Sequence, residues 1–376
     1  MFAHVHGATV YHAPRHAAAP MPMSVFRSLA FATLVVAATL LATALLLAIG
    51  GYDVRLALTA LWTGSVGSWY SLTSATLVRA IPLMLSGGAI AVAFRAGVFN
   101  IGAEGQLLAG AAVAAAVALG LPSFGMATLL LALVVGAAGG AAWASIAALL
   151  RARFGVLEVI STIMLNFVAL SAVSYLVRGP LQEPTHAYPQ TSSIASAVRL
   201  IQIPGAGRLH VGLVLALSVL GAAGWIMRHT AVGFRLLAVG ESASASASAG
   251  QVDVGAVSLR AFLVSGALAG LAGAVEVQGV TFALYENISP GYGYTAIAVA
   301  LLAGLDPWRV IVSALLFAAL EAGAGAMQRD AGVPSTLVSV VEALLILAAV
   351  TAQALRLRRS DAPATELPVP VVVRAS

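Results

Sequence analysis

The chain has 376 residues, of which 60% are hydrophobic and only 9% are charged, and its formal net charge is +5. Soluble domains carry about 25% charged residues, so this composition excludes a soluble globular protein and indicates one that crosses a membrane several times. The sequence contains no cysteine and no lysine, which excludes disulfides, thiolate metal sites, a P-loop and a Schiff-base lysine.

Ten apolar segments have roughly the 20 residues that a helix needs to cross a bilayer. We place them at 27–50, 71–94, 103–121, 126–150, 157–177, 209–227, 260–282, 293–305, 309–327 and 335–354. The eighth is too short to cross alone, which predicts a broken or tilted helix. The segments lack the alternating pattern of a membrane β-barrel, so we expect an all-α, polytopic fold of about ten transmembrane helices.

The remaining sequence divides into tails and two long loops. Residues 1–26 are rich in His, Pro and Ala, which predicts a disordered tail, and residues 356–376 form a second tail after the transmembrane domain at 27–355. An outer loop spans 178–208. An inner loop spans 228–259, and its Ser-Ala repeat is compatible with a flexible linker or a short surface helix.

The arginines predict the orientation of the chain. With the N-terminus inside and ten crossings, thirteen of the 19 basic residues lie on the cytoplasmic side and six lie outside. Because cytoplasmic loops carry the excess of positive charge, we expect both termini in the cytoplasm. The high isoelectric point is then explained by arginines facing anionic lipid, and we expect membrane lipid rather than nucleic acid as a partner.

The stretch GVFNIGAEGQ, which begins at Gly97, interrupts the apolar pattern with glycines and polar side chains. Such side chains can satisfy the backbone groups that a helix break or re-entrant turn exposes. A tight cytoplasmic connector followed by a helix start would also account for the pattern. The residues of this helix-break motif are Asn100, Gly102, Glu104, Gly105 and Gln106.

Five glutamates fall within or at the ends of predicted spans: Glu104, Glu158, Glu276, Glu321 and Glu342. A carboxylate at the centre of a membrane helix costs about 2.5–3.5 kcal/mol on insertion scales, so these side chains should face other helices or a water-filled path. The position of Glu158 near a helix N-terminus is also favoured by the helix dipole.

Five stretches resemble the permease subunits of ABC importers for nucleosides and simple sugars, a branch of the wider family of ribose and branched-chain amino-acid permeases. They are AGVFNIGAEGQLLAGA (96–111), LEVISTIMLNFVAL (157–170), GFRLLAVGESASASASAG (233–250), SGALAGLAGAVEVQG (265–279) and GYGYTAIAVALLAGLDPWRVIVSALLFAALEAGA (291–324). The likeness covers roughly residues 30–355. The third stretch departs from the family, which has an Asn-Pro and a bulkier run where this chain has ESASASASAG.

The resemblance implies a subunit without an ATPase site, catalytic residue, cofactor or metal of its own, in the inner membrane of a bacterial cell. Its implied partners are an ATP-binding subunit, a second permease subunit (a heterodimer is favoured) and a solute-binding lipoprotein or periplasmic protein. The residues implied in coupling to the ATPase are Arg228, Phe234, Arg235, Gly240 and Glu241. The candidate substrate path comprises Glu158, Asn166, Glu276, Phe282, Tyr285, Tyr292 and Tyr294.

Two other classes of protein compete with this interpretation. A proton- or ion-coupled secondary transporter would use Glu276 or Glu321 as the coupling group. The aromatic residues of the candidate path could equally be interfacial anchors. A membrane-embedded enzyme is disfavoured because the sequence contains no HExxH pattern and no GxSxG elbow.

Overall fold

The computed structural model describes residues 41–248 and 252–334, together with individual positions between 336 and 347. Within that part of the chain the regular elements are helices, accompanied by two isolated β-bridges. Both predicted tails, residues 27–40 of the first predicted span and most of the span at 335–354 lie outside the described residues. Residues 41–49, at the end of the first predicted span, are helical.

After residues 41–49, the described part contains eleven helices of six or more residues between 54 and 330. They are α1 (Val54–Ser65), α2 (Ser71–Arg95), α3 (Ala103–Gly120), α4 (Met126–Phe154), α5 (Glu158–Arg178), α6 (Gly212–His229), α7 (Ala231–Glu241), α8 (Ala243–Ser248), α9 (Val254–Thr281), α10 (Tyr292–Leu302) and α11 (Pro307–Asp330). Seven of these helices, α2 to α6, α9 and α11, are long and apolar enough to cross a membrane. The first turns of α2 and the last turns of α9 are π-helical.

The predicted spans agree with the helices in position, and two differences have clear causes. Helix α1 was not predicted, because Arg55 and two threonines interrupt its apolar pattern. It is capped by Asp53, which accepts a hydrogen bond from the amide of Leu56 at 2.9 Å. Helix α9 begins at Val254 rather than at 260, because the side chain of Asp253 caps it by accepting from the amide of Ala256 at 2.9 Å.

Helices α3, α4 and α9 pack against one another through glycines. A Cβ atom on Gly270 would lie 2.5 Å from the carbonyl oxygen of Gly136 and 2.8 Å from the Cα of Gly140. The backbones can approach this closely only because these positions lack side chains. The small-residue pairs therefore pack within the chain.

Helix α2 is the central element of the bundle. Its side chains are buried on every face, including Ile81, Leu83 and Ile90, and a helix that is apolar all round belongs in a core. Helices α4, α5, α6, α9 and α11 expose large apolar side chains such as Val134, Phe167 and Val312, as a lipid-facing surface requires.

The length and contacts of α10 show how deep in the bundle α3 begins. Its 11 residues extend only about 16 Å, about half of a hydrocarbon core of ~30 Å. Its last turn lies beside the end of α2, because the guanidinium of Arg95 donates to the carbonyls of Gly304 and Leu305 at 3.1 and 3.2 Å. Its first turn meets the start of α3, where the amide of Gly293 donates to Glu104. Helix α3 therefore begins partway through the bundle, well inside the end that carries Arg95.

Candidate functional site

The chain between α2 and α3 forms a structured break. Gly97 adopts a left-handed conformation with φ +70°, and residues 98–102 are not helical. Asn100 and Gln106 are buried, and their side-chain amides form two hydrogen bonds with each other. Nδ2 of Asn100 donates to Oε1 of Gln106, and Nε2 of Gln106 donates to Oδ1 of Asn100, both at 2.9 Å. Asn100 also accepts from the amide of Gly102 and donates to the hydroxyl of Ser265 in α9, each at 2.9 Å.

Helix α5 supplies the other partners of the break. The side-chain oxygen of Asn166 accepts from the amide of Gly105 at 2.8 Å, and its Nδ2 donates to the carbonyl of Ile101 at 3.0 Å. The hydroxyl of Thr162 accepts from the amide of Ile101 at 3.3 Å. Asn166, placed by the sequence on the candidate substrate path, thus lies in the break instead.

Glu104 lies where the N-termini of α3 and α10 meet. Its Oε2 accepts from the amide of Gly293 at 2.7 Å, and the hydroxyl of Ser289 hydrogen-bonds to the same carboxylate. Ser289 also accepts from the amide of Tyr292 at 3.0 Å. Because helix N-termini carry partial positive charge, this is a favourable place for a buried carboxylate.

A polar cavity of about 630 Å³ lies beside these helix starts. The first turns of α2, the last turns of α9, the loop 282–291, the first turn of α10, the loop at Arg208 and α11 at Glu321 form its walls. Its polar lining residues are Ser74, Arg79, Arg208, Glu276, Thr281, Tyr285, Asn287, Tyr292, Thr295 and Glu321. Two arginines and two glutamates face the cavity, so their formal charges balance.

The structure brings three of the predicted path residues, Glu276, Tyr285 and Tyr292, together on this cavity. Burial and the nearby carboxylate of Glu276 raise the pKa of Tyr285 above its ordinary value. Sequence reasoning missed Arg79, Arg208, Asn287 and Thr295. An arginine inside an apolar span was the available signal for Arg79. Thr295 lies in the resembling stretch 291–324, whereas Arg208 and Asn287 lie outside any marked motif.

The remaining predicted path residues lie elsewhere. Glu158 pairs with Arg151 at 3.1 Å. The ring of Phe282 packs under the guanidinium of Arg199, 4.4 Å from the ring centroid, and Tyr294 is exposed and does not line the cavity.

An ion pair clamps the loop 282–291 to α5. Arg178 donates to both carboxylate oxygens of Glu286, from Nε at 2.6 Å and from Nη2 at 2.8 Å, and the hydroxyl of Ser174 donates to the same group. The hydrogen bonds from Arg178 and Ser174 lower the pKa of Glu286 to about 2. The clamp therefore persists at any physiological pH.

The segment at 231–248 forms two short helices at the end of the bundle where α2 terminates. Phe234 and Val232 on α7 are largely exposed, and so are Arg235 and Glu241. Gly240 packs on the α2 terminus, where a Cβ would collide with the carbonyl oxygen of Arg95. Arg228, in the last turn of α6, pairs at 2.5 Å with Asp306, which caps α11.

Comparison with known proteins identifies the family. Residues 72–350 match a family described as branched-chain amino acid transport system / permease component. The guanosine ABC transporter permease protein NupP of Bacillus subtilis is 40% identical over 323 residues, which cover 84% of this chain and 91% of that protein.

Two further relatives are similar over most of their length. The glucose ABC transporter permease protein TsgB13 of Haloferax volcanii is 37% identical, with 79% of this chain and 83% of that protein covered. The nucleoside ABC transporter permease protein NupB of Lactococcus lactis is 33% identical, with 76% and 80% covered. No solved structure matches the chain. The chain therefore belongs to the branched-chain amino acid transport system permease family, as a multi-pass membrane component of a transport system.

Proposed function

We propose that the chain is the membrane-spanning permease subunit of an ATP-driven importer, and that it forms part of the path for a nucleoside or a related sugar-containing solute. The polar cavity inside an otherwise apolar bundle is the observation that carries this proposal. Relatives named for guanosine, nucleoside and glucose transport support the class of solute.

The chemistry of the cavity suits an uncharged solute rich in hydroxyl groups. Glu276 and Asn287 offer acceptors for hydroxyl hydrogens, and the rings of Tyr285 and Tyr292 offer stacking surfaces for a base. The two arginines and two glutamates have no formal net charge, and a neutral solute would not alter that balance.

The proposed topology has ten spans in the inner membrane of a bacterial cell, with both termini in the cytoplasm. The end that carries α7 is then cytoplasmic, and the loop that follows Arg178 is outside. This orientation puts the excess of arginines inside.

The proposed partners follow from this topology. The chain has no lysine for a P-loop of its own, so a separate subunit binds ATP. That subunit contacts the exposed surface of α7 around Val232 and Phe234. A second permease, different in sequence, completes the translocation path, and an extracytoplasmic solute-binding protein delivers the solute.

Co-purification tests the contact with the ATP-binding subunit. We expect Phe234→Asp to reduce recovery of that subunit about tenfold, because a charge would be placed in an apolar contact at a cost above ~1.4 kcal/mol. Tyr188→Asp, at an exposed position in the loop after α5, is the matched control and should leave recovery unchanged. Equal recovery with both variants would contradict docking at α7.

Uptake in cells tests the energy source. We expect labelled guanosine to enter cells that carry the complete transporter and to stop entering when the ATP-binding subunit is inactivated in its nucleotide site. Uptake that survives this inactivation and collapses with a protonophore would identify a proton-coupled secondary transporter instead.

A further inference from the structure

Helix α10 touches both the α7 end of the molecule and the polar cavity. At its start, Tyr292 and Thr295 line the cavity, and Gly293 is held by Glu104. At its end, Gly304 and Leu305 both adopt left-handed conformations, with φ +63° and +59°, and their carbonyls point to Arg95. A single rigid element of 11 residues therefore separates the two regions.

Arg95 contacts α7 and α10 at the same time. Its guanidinium donates to the carbonyls of Gly304 and Leu305, at 3.1 and 3.2 Å. A cation at this position also interacts favourably with the C-terminal dipole of α10. Its own carbonyl oxygen lies against Gly240 of α7, too close for any side chain to fit there. Displacement of α7 therefore presses on the residue that holds the last turn of α10.

At the other end, the non-helical loop 282–291 separates α10 from α9. That loop is bound to α5 through the ion pair of Glu286 with Arg178, and to the first turn of α10 through Ser289, which accepts from the amide of Tyr292. The last turns of α9 are π-helical, and π-turns are common at functional sites. A shift of α10 along its axis would move Tyr292 and Thr295 in the cavity wall.

We propose that Arg95 is the positioning residue that transmits movement of α7 to α10, and through α10 to the solute cavity. This inference rests on the proposed function, since it requires an ATP-binding subunit that moves α7. The side chain does not touch the solute. It links two elements whose far ends are the ATPase contact and the cavity wall.

Thiol labelling of the cavity tests this inference directly. The chain contains no cysteine, so Thr295→Cys gives it a single thiol beside Tyr292. In the complete transporter, we expect the labelling rate of that thiol by a small maleimide to change about fivefold or more between the nucleotide-free state and the state trapped with ATP and vanadate, at the low end of ordinary coupling between sites. Adding Arg95→Gln should abolish this change, and Arg95→Lys should restore part of it, because lysine can still donate to one carbonyl.

Two controls separate transmission from a loss of structure. Arg309→Gln removes an exposed positive charge from the first turn of α11, next to the same Gly304–Leu305 turn, and should leave the nucleotide-dependent change intact. The thermal unfolding midpoint and the yield of complex identify a variant that is merely misassembled. If Arg95→Gln is misassembled, the nucleotide-dependent change in labelling rate is compared between Arg95→Lys and the parent instead.

The outcomes distinguish this inference from the proposed function. A full nucleotide-dependent change with Arg95→Gln in an assembled complex overturns the role of Arg95 and leaves the ATP-driven permease standing. Absence of any change in the parent transporter with Thr295→Cys alone overturns transmission to the cavity wall, and the uptake assay decides separately whether the permease is ATP-driven. Loss of the change with Arg95→Gln, partial recovery with lysine and no effect of Arg309→Gln supports the inference.

Discussion

At the scale of single residues, Glu104 is the side chain whose setting the structure explains best. The local pattern of glycines and polar residues after Gly97 was sufficient to predict a break in the helix. The partner of the carboxylate, Gly293, lies 189 residues away, and no local pattern could predict it because helix pairing decides which chain segments meet. Two helix N-termini and the hydroxyl of Ser289 compensate the charge that a membrane interior would otherwise penalise.

We expect Glu104→Ala to destabilise the protein by about 1–3 kcal/mol, because it leaves the buried amide of Gly293 without an acceptor. Glu104→Gln should cost less, since its carbonyl oxygen can still accept that hydrogen bond. Unfolding in detergent, followed by tryptophan fluorescence, measures both, and the exposed Glu241→Ala is the control. Equal stability of Glu104→Ala and the parent would contradict this account.

His210 makes stability depend on pH. Its ring is fully buried, its Nδ1 accepts from the amide of Gly212 at 3.2 Å, and the ring fits because Gly212 and Gly279 have no side chains. Burial, together with the positive charge of Arg208, lowers the pKa of His210 from 6.5 to about 4. The folded protein therefore holds this histidine neutral where the unfolded chain protonates it.

Because the folded pKa is depressed, the contribution of His210 is fully present above pH 6.5 and is lost as the pH falls from 6.5 to about 4. The loss amounts to up to about 3 kcal/mol. We expect His210→Gln to flatten this part of the stability curve in chemical unfolding series. His229→Gln, at an exposed histidine, should retain the slope of the parent, and an unchanged slope with His210→Gln would be inconsistent with a buried neutral ring.

At the scale of elements, the apolar segments of the sequence predicted the positions of the spanning helices. They did not predict helix α1 or the contacts of α10, for reasons that the packing explains. Helix α1 has polar residues on one face, so segment hydropathy could not reveal it, and its packing on α11 depends on Gly64 and Gly323, which meet Ala326 and Leu61. The sequence predicted α10 only as an apolar segment that is too short to cross a membrane alone. The contacts at its two ends, of Gly293 with Glu104 and of the following turn with Arg95, are tertiary and were not predictable.

The glycine contacts between α3, α4 and α9 give a prediction at this scale. Gly270→Ala should destabilise the protein by about 1–3 kcal/mol, because the new methyl group would press on the backbone of Gly136 and Gly140 and overpack a tight core. Gly120→Ala is the control, since a Cβ there would meet no atom within 4 Å. Thermal unfolding of the two variants in the same detergent decides the matter, and similar midpoints would mean that the helices can separate at no cost.

At the scale of the whole molecule, the sequence predicted a membrane permease, and the family match establishes that class. The cavity itself could not be predicted. It combines residues from α2, α9, α10, α11 and two loops, and only Glu276, Tyr285 and Tyr292 were among the candidates. The bundle combines the clamp at Glu286, a polar cavity and an exposed α7 surface, as expected of a subunit that is driven by a separate ATPase.

The most direct test of this account is solute uptake by the purified transporter reconstituted in liposomes with its ATP-binding subunit and second permease. ATP is supplied on the side of α7, labelled guanosine with its binding protein on the other side, and a protonophore is added in parallel samples. We predict that uptake requires ATP hydrolysis, persists with the protonophore and is competed by other nucleosides more strongly than by glucose. Guanosine uptake that proceeds without ATP and collapses with the protonophore would contradict the account.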